Sequence, residues 1–466
     1  MSRTRGYLYG ALITTLNVVV YAATLGRHIV LEGRVSRGTC SNWLGQFRYR
    51  PRRFAQPSTE AELAELVLNS TGVRLLGSGH SFNDGVVADD TLVSLDRYAG
   101  VLWKDLEKKR VAFKAGTRVR DAVRELQEDG LAFRALPSHD AQSLGGILST
   151  DVHGTGGADW GFVSQSVVRL KVMDGRGDAH ECEPADDLFR AAVGGVGAVG
   201  IITEVVVQGV DRFNVEQRVE PATLSFVKDN LDRLLLENDH FSVYVFPFTD
   251  RCQVNTWNHT TSKRSPLGPV REFLTTAAES LLAAWVGNLL AYTKLLPTLS
   301  AATHSLIRTR SLVMESSQAF NRTLYHLHQE LEFTVPHAET FEACERFLHL
   351  YETLYRSERL PYAFLELRFT PAGHDRTLIG AGRERRCTWI DLLCDDSPGV
   401  HTYFEAAEKL MKEIGARPHL GKYCQEYRKA DLMELHQENF TKFLELMEVH
   451  DADKKFANQF TRRLFG

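Results

Sequence analysis

The chain has 466 residues, of which 43% are hydrophobic and 10% aromatic, and its formal net charge is −4. This length and composition predict a folded protein of two domains, and the lack of a basic excess argues against nucleic acid as a partner, since phosphate binding needs a dense positive surface. The seven cysteines are scattered and include no C-x-x-C pair, so the sequence predicts neither a disulfide framework nor a metal site.

The first segment of the chain is apolar. No charged residue occurs from Gly6 to Gly26, and this run is about long enough to cross the hydrocarbon core of a bilayer. A cleaved signal peptide and a buried core helix are alternative interpretations, but no A-x-A cleavage site ends the run. We therefore expect residues 1–33 to form a single-pass membrane anchor, which makes the membrane a partner. Arginines flank the run on both sides and leave its orientation open.

Residues 42–212 alternate short strands with helices, and we expect them to form the first domain. The segment 57–70 places Leu63, Leu66 and Val67 on one face of a helix. The other predicted elements of this domain are helices at 117–130 and 186–195, strands at 91–96, 110–116 and 198–208, and a hairpin at 166–182.

Residues 213–466 have fewer glycine clusters and longer helical segments, and we expect a second domain there. The predicted elements are helices at 341–355 and 401–415 and strands at 330–336 and 362–371. This mixture predicts the α+β fold class. A second apolar run at 280–293 is too short to span a membrane, and it fits either a buried helix or a helix at the lipid interface.

One glycine motif is misleading. Gly195, Gly197 and Gly200 match the G-x-G-x-x-G pattern of dinucleotide-binding sites. That site needs a strand before the glycines and a helix after them, so that the helix N-terminus meets the pyrophosphate. Here a predicted helix precedes the glycines and a β-branched strand follows them. The sequence therefore argues against an NAD site of this kind.

Two other glycine-rich segments predict a different cofactor site. The first, at 77–83 (GSGHSFN), follows an apolar strand, and the second, at 142–156, has the sequence QSLGGILSTDVHGTG. Glycines allow backbone N–H groups to approach a phosphate closely. Each segment alone is explained by ordinary turns. Together with the turn at 194–200 they supply enough donors to hold a pyrophosphate and a ring.

These residues resemble the FAD-linked oxidases of the vanillyl-alcohol oxidase class, specifically the aldonolactone oxidase branch. The resemblance runs from Asn42 to near the C-terminus. Its most specific parts are 77–83, 142–156, DLFRAAVGGVGAVGIITEV at 187–205, EFTVP at 332–336, ELRF at 366–369 and ARPHLGK at 416–422. The resemblance implies a two-subdomain FAD-binding domain at 42–212 and a substrate-binding cap domain at 213–466.

The resemblance also implies that FAD is attached covalently to His80. No cysteine lies in the second glycine-rich segment, which excludes a second covalent bond to the flavin. The other residues expected to contact the cofactor are Gly77, Ser78, Gly79, Ser81, Phe82, Pro137, Ser138, Ser143, Gly145, Gly146, Ser149, Thr150, His153, Gly154, Gly200, Ile202 and His419.

The resemblance further implies that Glu366 and Arg368, which match a Glu-x-Arg pair of the family, and Lys422 are the catalytic residues. Glu366 and Arg368 are two positions apart on a predicted strand, so their side chains point to one face. A structural ion pair is the alternative interpretation of this pair. Lys422 corresponds to the lysine of the family's His-Trp-Gly-Lys motif, in which this chain has Leu420 in place of tryptophan. The resemblance leaves open which of the three takes the substrate proton.

The reaction implied is oxidation of a sugar 1,4-lactone, of the D-arabinono or L-gulono type found in ascorbate biosynthesis, by hydride transfer to flavin N5. Electrons would then pass to molecular oxygen and give hydrogen peroxide. The alternatives are oxidation of a polyol by an alditol oxidase, a dehydrogenase that uses another acceptor, and a flavin-binding protein without turnover.

Pro137 bears on the electron acceptor. The resemblance places it beside the oxygen-reactive edge of the flavin, where members that react poorly with oxygen carry alanine. The ring of proline is tied back to its own nitrogen, so it leaves space that a free methyl group would fill. The alternative is that Pro137 only ends a strand.

Overall fold

A computed structural model describes most of the chain. The described residues are 32–36, 38–156, 161–282, 295–298, 300, 307–321, 328–358, 360–396 and 399–466, together with Leu12, Thr15, Leu16 and Val19. Most of the predicted membrane anchor and most of the apolar run at 280–293 lie outside these residues. Within the described part of the chain, no helix has the length and hydropathy needed to cross a membrane.

The described part of the first domain contains four sheets of two to five strands and four α-helices. Its strands are β1 Arg34–Ser36, β2 Thr39–Ser41, β3 Arg48–Tyr49, β4 Arg53–Ala55, β5 Val73–Leu76, β6 Thr91–Ser94, β7 Val101–Asp105, β8 Arg110–Lys114, β9 Leu131–Ala132, β10 Val167–Met173, β11 Ala179–Cys182, β12 Ile201–Gln208 and β13 Val210–Asp211. Its helices are α1 Glu60–Leu68, α2 Val119–Glu128, α3 Leu144–Ser149 and α4 Asp187–Ala192, with 3-10 turns at Asp84–Val86 and Val163–Ser166.

Two of these sheets form the framework of the first domain. The strands β4, β6 and β5 form a parallel sheet, and β11, β10, β12, β8 and β7 form an antiparallel sheet in that order. The β-branched strand β12 is buried along almost its whole length, as its central place in the sheet requires. Because α4 precedes this strand, the glycine turn between them has the reversed context that the sequence indicated.

Helix α1 shows how the sequence specifies a boundary. The hydroxyl of Thr59 accepts a hydrogen bond from the backbone N–H of Glu62 at 3.2 Å and so caps the helix. Leu63, Leu66 and Val67 are buried on one face, which confirms the predicted amphipathic pattern. The helix begins at Glu60, three residues after the predicted start at Pro57.

The second domain is built on one eight-stranded sheet. Its strands are β14 Asn214–Thr223, β15 His240–Val245, β16 Arg251–Thr260, β17 Arg310–Glu315, β18 His328–Pro336, β19 Ala363–Thr370, β20 Cys387–Asp395 and β21 Arg417–Pro418. Its helices are α5 Leu224–Glu237, α6 Gly268–Leu282, α7 Ser316–Phe320, α8 Thr340–Ser357, α9 Val400–Glu413, α10 Lys429–His450 and α11 Gln459–Phe465, with a 3-10 turn at His337–Glu339.

The strand order of this sheet is β17-β14-β16-β15-β19-β20-β18-β21, and its strand pairs are antiparallel. β18 and β20 are buried almost throughout, on both of their faces. Such strands lie between two layers, and here helices α8 and α9 contact β18 from one side. Side chains of β18 and β20 contact first-domain residues from the other side.

The C-terminal segment returns to the first domain. Arg74 on β5 is buried and donates hydrogen bonds to the carbonyl oxygens of Gly85, Val196 and Phe456 at 2.8, 2.9 and 2.8 Å. One guanidinium thus joins the turn after the first glycine-rich segment, the 194–200 turn and the chain's end. Buried carbonyl groups need such partners, so this contact fixes the three segments together.

Asn458 makes a second connection of this kind. Its side-chain amide donates to the carbonyl oxygens of Asp84, Gly85 and Val87 at 3.1, 3.1 and 3.0 Å. Its side-chain oxygen accepts from the backbone of Thr461 and caps α11.

Candidate active site

The three glycine-rich segments meet in one cleft of about 1130 Å³. It is lined by residues 77–81, by 142–150 except Leu144 and Leu148, and by 196–202 except Ala198 and Val199. Twelve of the residues predicted to contact a cofactor therefore lie together: Gly77, Ser78, Gly79, His80, Ser81, Ser143, Gly145, Gly146, Ser149, Thr150, Gly200 and Ile202. Together the three segments span residues 77–202 of the chain, and the fold brings them to one surface.

Two positions in the cleft need glycine because neighbouring segments approach the backbone closely there. A Cβ atom on Gly77 would lie 2.8 Å from the hydroxyl oxygen of Ser143. Gly200 has φ = +148°, and a Cβ there would lie 2.6 Å from the carbonyl oxygen of Met173. A side chain at either position would displace the opposite wall. Backbone groups therefore line the cleft, and such a lining suits an elongated dinucleotide such as FAD.

The second glycine-rich segment contains a short helix, α3, where the sequence indicated only turns. Ser143 begins it, with its hydroxyl accepting the N–H of Gly146 at 3.3 Å. Leu144, Ile147 and Leu148 are buried and hold the helix against the core. Two adjacent glycines weaken the intrinsic helix propensity, which is why tertiary packing, and not the local sequence, decides this element.

His80 lies at the edge of the cleft on the loop that follows β5. Its ring stacks on Trp43, with centroids 5.7 Å apart and planes 12° apart, and it lies 4.3 Å from the ring of His139. The amide of Asn83 donates to the carbonyl oxygens of Leu420 and Lys422 at 2.6 and 2.8 Å. The His80 loop is thereby joined to the segment that carries a predicted catalytic lysine.

A second cavity contains Glu366 and Arg368. Its other lining residues are Ala135, Leu136, Ser138, His153, Gly154, Thr155, His240, Trp257 and Phe320. Ser138, His153 and Gly154 had been predicted as cofactor contacts, and the structure places them in this cavity. The first domain therefore contributes one wall, and strands β15, β16 and β19 contribute the other.

Three carboxylates cross the sheet beside this cavity. Strand register places Glu332 on β18 opposite Asp391 on β20, and Asp391 opposite Glu366 on β19. We call these three residues the carboxylate row, and all of them are buried. Side chains directly opposite one another lie about 4.5–5.5 Å apart at Cβ, so like charges here are unfavourable without compensation.

Arg368 offsets the negative charge of the carboxylate row. Its guanidinium lies 2.8 Å from the carboxylate of Asp391, 3.1 Å from that of Glu332 and 3.6 Å from that of Glu366. Burial would raise the pKa of Glu332, but Arg368 and His153 outweigh burial and hold that pKa below its ordinary value. Burial, together with the carboxylate of Glu332, raises the pKa of Asp391 well above its ordinary value.

Lys422 lies in the turn after β21 and extends the charged cluster. Its ammonium group contacts the carboxylate of Glu330 and lies 3.8 Å from Glu332 and 3.9 Å from Asp391. It also lies 5.3 Å from the centre of the Phe82 ring. Burial lowers the pKa of Lys422 to about 7, and the neighbouring carboxylates oppose that shift.

His153 connects the first domain to the row. Its Nε2 atom lies 3.2 Å from the carboxylate of Glu332, and its Nδ1 atom lies 2.9 Å from the carbonyl oxygen of Gly154. Its ring stacks on Trp389 at a centroid distance of 3.6 Å. This histidine holds the second glycine-rich segment against the sheet that carries the expected catalytic pair.

His419 lies next to this contact. Its Nδ1 atom accepts a hydrogen bond from the backbone N–H of Gly421 at 3.0 Å. Burial lowers its pKa to about 4, so the ring is neutral near pH 7. Its role in the structure is to shape the turn that presents Lys422.

Some predicted site residues lie outside the linings of these two cavities. They are Phe82, Pro137, His419 and Lys422. Pro137 is a buried loop residue, and its neighbours Leu136 and Ser138 both line the second cavity. Strand β9 ends at Ala132, so Pro137 does not terminate a strand, which was the alternative interpretation of this proline.

Two clusters of metal-ligating residue types occur among the described residues, although the sequence predicted no metal site. In each of them an arginine, Arg368 or Arg176, already pairs with the carboxylate, and we assign a metal to neither. The clusters are His153–Glu332–His419 and Asp174–His180–His450.

Comparison with known families supports the expected resemblance. A family model described as D-arabinono-1,4-lactone oxidase matches residues 205–464, and one described as FAD binding domain matches residues 51–183. The two matches fall on the sheet with the carboxylate row and on the first glycine-rich segment, respectively.

Similar proteins align over nearly their whole length. An L-gulono-1,4-lactone dehydrogenase of Mycobacterium tuberculosis is 26% identical, covering 91% of this chain and 99% of that protein. An L-gulonolactone oxidase of Mus musculus is also 26% identical, covering 91% and 97%. Among solved structures, a cholesterol oxidase of Brevibacterium sterolicum has a TM-score of 0.71 at 14% identity, covering 94% of this chain and 98% of that one. This last likeness shows an α+β, two-domain FAD-binding fold.

The close approach of Gly77 to Ser143 makes a direct prediction. Gly77→Ala should remove most FAD from the purified protein, because the new methyl group pushes the first glycine-rich segment away from α3. Gly72→Ala is the matched control at the other end of β5, since a Cβ there meets nothing nearer than 3.8 Å. Flavin absorbance per polypeptide measures the effect. Equal flavin content in both variants would contradict this account of the cleft.

Proposed function

The chain belongs to the D-arabinono-1,4-lactone oxidase family, and on that basis we propose that it oxidises a hydroxyl-bearing carbon of a sugar 1,4-lactone with FAD as its cofactor. The observation that carries this proposal is the position of the Glu366–Arg368 pair. It lines a cavity whose opposite wall comes from the second glycine-rich segment of the cofactor cleft. The relatives named above act on lactones of this class.

Each part of the site has a distinct task. Bound FAD would accept a hydride from the substrate carbon, and the glycine-rich segments would hold it. Arg368 and Ser138 offer donors to substrate hydroxyl groups in the second cavity. Glu366 is placed to take the hydroxyl proton or to orient the group that takes it. Lys422 lies within 4 Å of three carboxylates and offsets their negative charge.

A polyol remains the alternative substrate, because a polar cavity of this kind accepts hydroxyl groups from either class. The names of the relatives favour the lactone. Comparing kcat/KM for sugar 1,4-lactones with kcat/KM for alditols distinguishes the two, and we expect the lactones to be preferred.

The catalytic assignment predicts a large loss of turnover in two variants. Glu366→Gln and Lys422→Met should keep FAD and lose at least about a hundredfold in kcat, the usual scale for removing a proton-transfer or charge-stabilising group. Glu220→Gln is the control, since Glu220 lies on β14 of the same sheet and pairs only with the exposed Arg218 among described contacts. Near-normal kcat in both site variants would place the chemistry elsewhere.

We also propose that His80 carries the flavin covalently, as the family resemblance implies. Its place at the edge of the cleft and its fixed stacking on Trp43 support this. A denaturing gel should show flavin fluorescence on the polypeptide, and His80→Ala should abolish it. His139→Ala, which changes the neighbouring ring, should keep it. Fluorescence retained by His80→Ala would refute the attachment site.

Oxygen is the proposed electron acceptor, although the relatives include both oxidases and dehydrogenases. Support comes from Pro137, which the resemblance places at the flavin edge and which lies between two residues of the second cavity. Pro137→Ala should slow reoxidation of the reduced enzyme by oxygen and leave its reduction by substrate unchanged. Stopped-flow measurement of both half-reactions tests this. Slow reoxidation in the wild type would show that oxygen is not the acceptor.

Membrane attachment through residues 1–33 is a further proposal, which rests on the uncharged run from Gly6 to Gly26. Full-length protein should stay with membranes during carbonate extraction, and a chain beginning near Ser41 should be released. Retention of the shortened chain would shift the membrane contact to the apolar run at 280–293.

A further inference from the structure

The carboxylate row has more acidic groups than its cations can balance. Four buried or nearly buried carboxylates lie together, those of Glu332, Asp391 and Glu366 in the row and that of Glu330 beside it. Among the described residues, the cations Arg368 and Lys422 lie within 4 Å of them. The imidazoles of His153 and His328 also lie 3.2 Å from Glu332 and 2.9 Å from Glu330, and they add positive charge only if protonated. Uncompensated charge is expensive to bury, so a cluster of this composition takes up protons.

Asp391 is the member of the row best placed to hold a proton. It occupies the middle position, with Glu332 opposite it on one side and Glu366 on the other. Both flanking residues are carboxylates, whereas each outer member has only one carboxylate neighbour within the row. Like charges at this spacing cannot all be ionised, and neutralising the middle group removes both repulsions at once.

The two carboxylate oxygens of Asp391 have different contacts. Oδ2 accepts a hydrogen bond from Arg368 at 2.8 Å and lies 3.9 Å from the Lys422 ammonium. Oδ1 is buried and has no hydrogen-bond partner among the described residues. A protonated carboxyl group has one O–H donor, and a proton on Oδ1 would let that atom donate to an adjacent carboxylate.

We propose that Asp391 is protonated at neutral pH and acts as a positioning residue, accepting from Arg368 and donating to a neighbouring carboxylate of the row. The protonation itself is independent of the proposed function. Only its consequence for catalysis rests on that function. When the substrate O–H bond breaks, the proton goes to an outer carboxylate, because the middle one already carries a proton. Asp391 then fixes the spacing of Glu332 and Glu366 around Arg368.

The charged and titratable groups that face Asp391 come from several elements. They are Glu330 and Glu332 on β18, Glu366 and Arg368 on β19, Lys422 in the turn after β21, His153 and His419 through Glu332, and His328 through Glu330. Burial is the largest effect that favours the proton on Asp391. The carboxylates of Glu332 and Glu366 add to it, and Arg368 opposes it.

Infrared spectroscopy of the oxidised holoenzyme without substrate tests the protonation state directly. The C=O stretch of a protonated carboxyl group should be present in the wild type and lost in Asp391→Asn. Burial also raises the pKa of Glu408 to about 7 and that of Asp451 to about 6, so spectra are recorded at neutral pH and the Asp391 band is read as the difference between the wild type and Asp391→Asn, in which the contributions of these two groups cancel. Glu220→Gln, on strand β14 of the same sheet but away from the row, is the control and should retain the band.

Thermal unfolding gives a second readout. Unfolded Asp391 ionises with a pKa of about 3.9, whereas the folded residue holds its proton to higher pH. Its stabilising contribution is therefore complete below about pH 4 and is lost as the pH rises towards the folded pKa. Asparagine does not titrate, so Asp391→Asn should unfold a few degrees above the wild type near neutral pH, while Glu332→Gln should unfold below it.

Two infrared results would contradict the proposal. Absence of a protonated carboxyl band in the wild type would overturn the proposal even if a variant fails to fold. A band of equal intensity in Asp391→Asn and the wild type would assign the proton to another residue and overturn it too. Because no substrate is used, these results are independent of lactone turnover, and an inactive enzyme with the expected band would refute only the proposed function.

Discussion

The structure of the site depends on one buried guanidinium. Arg368 lies within 4 Å of Asp391, Glu332 and Glu366, which come from three adjacent strands of the central sheet. Removing this cation would leave three buried carboxylates facing each other, and breaking such a cluster is strongly unfavourable. The register of β18, β20 and β19 and the orientation of the expected catalytic pair are therefore linked to a single side chain.

A second constraint joins this charged cluster to the cofactor cleft. His153 contacts Glu332 from the second glycine-rich segment, and Asn83 holds the turn of Lys422 from the first. The cleft itself exists because glycines such as Gly77 leave no side chain between closely approaching segments. A redox cofactor and a hydroxylated substrate are consequently presented to each other by side chains that pair across the two domains.

The sequence predicted much of this arrangement, and its failures have physical causes. Amphipathic periodicity located helices such as α1, and glycine composition located the cleft, because both are local properties. Glu366 and Arg368 were identified by the family resemblance, and their spacing on one strand agreed with it. The importance of Glu332 and Asp391 was missed, since strand pairing brings together residues 59 positions apart and one sequence does not reveal register. Helix α3 was missed because its glycines hide a segment that packing makes helical.

The central claim is that the cavity beside the carboxylate row presents a sugar lactone to bound FAD. Its most direct test is an anaerobic titration of the purified holoenzyme with a sugar 1,4-lactone, followed by flavin absorbance. The account predicts bleaching of the oxidised flavin band at one equivalent of lactone per flavin, and full recovery of the band when air is admitted. A flavin that stays oxidised with every lactone tested, or that is bleached by alditols alone, would contradict it.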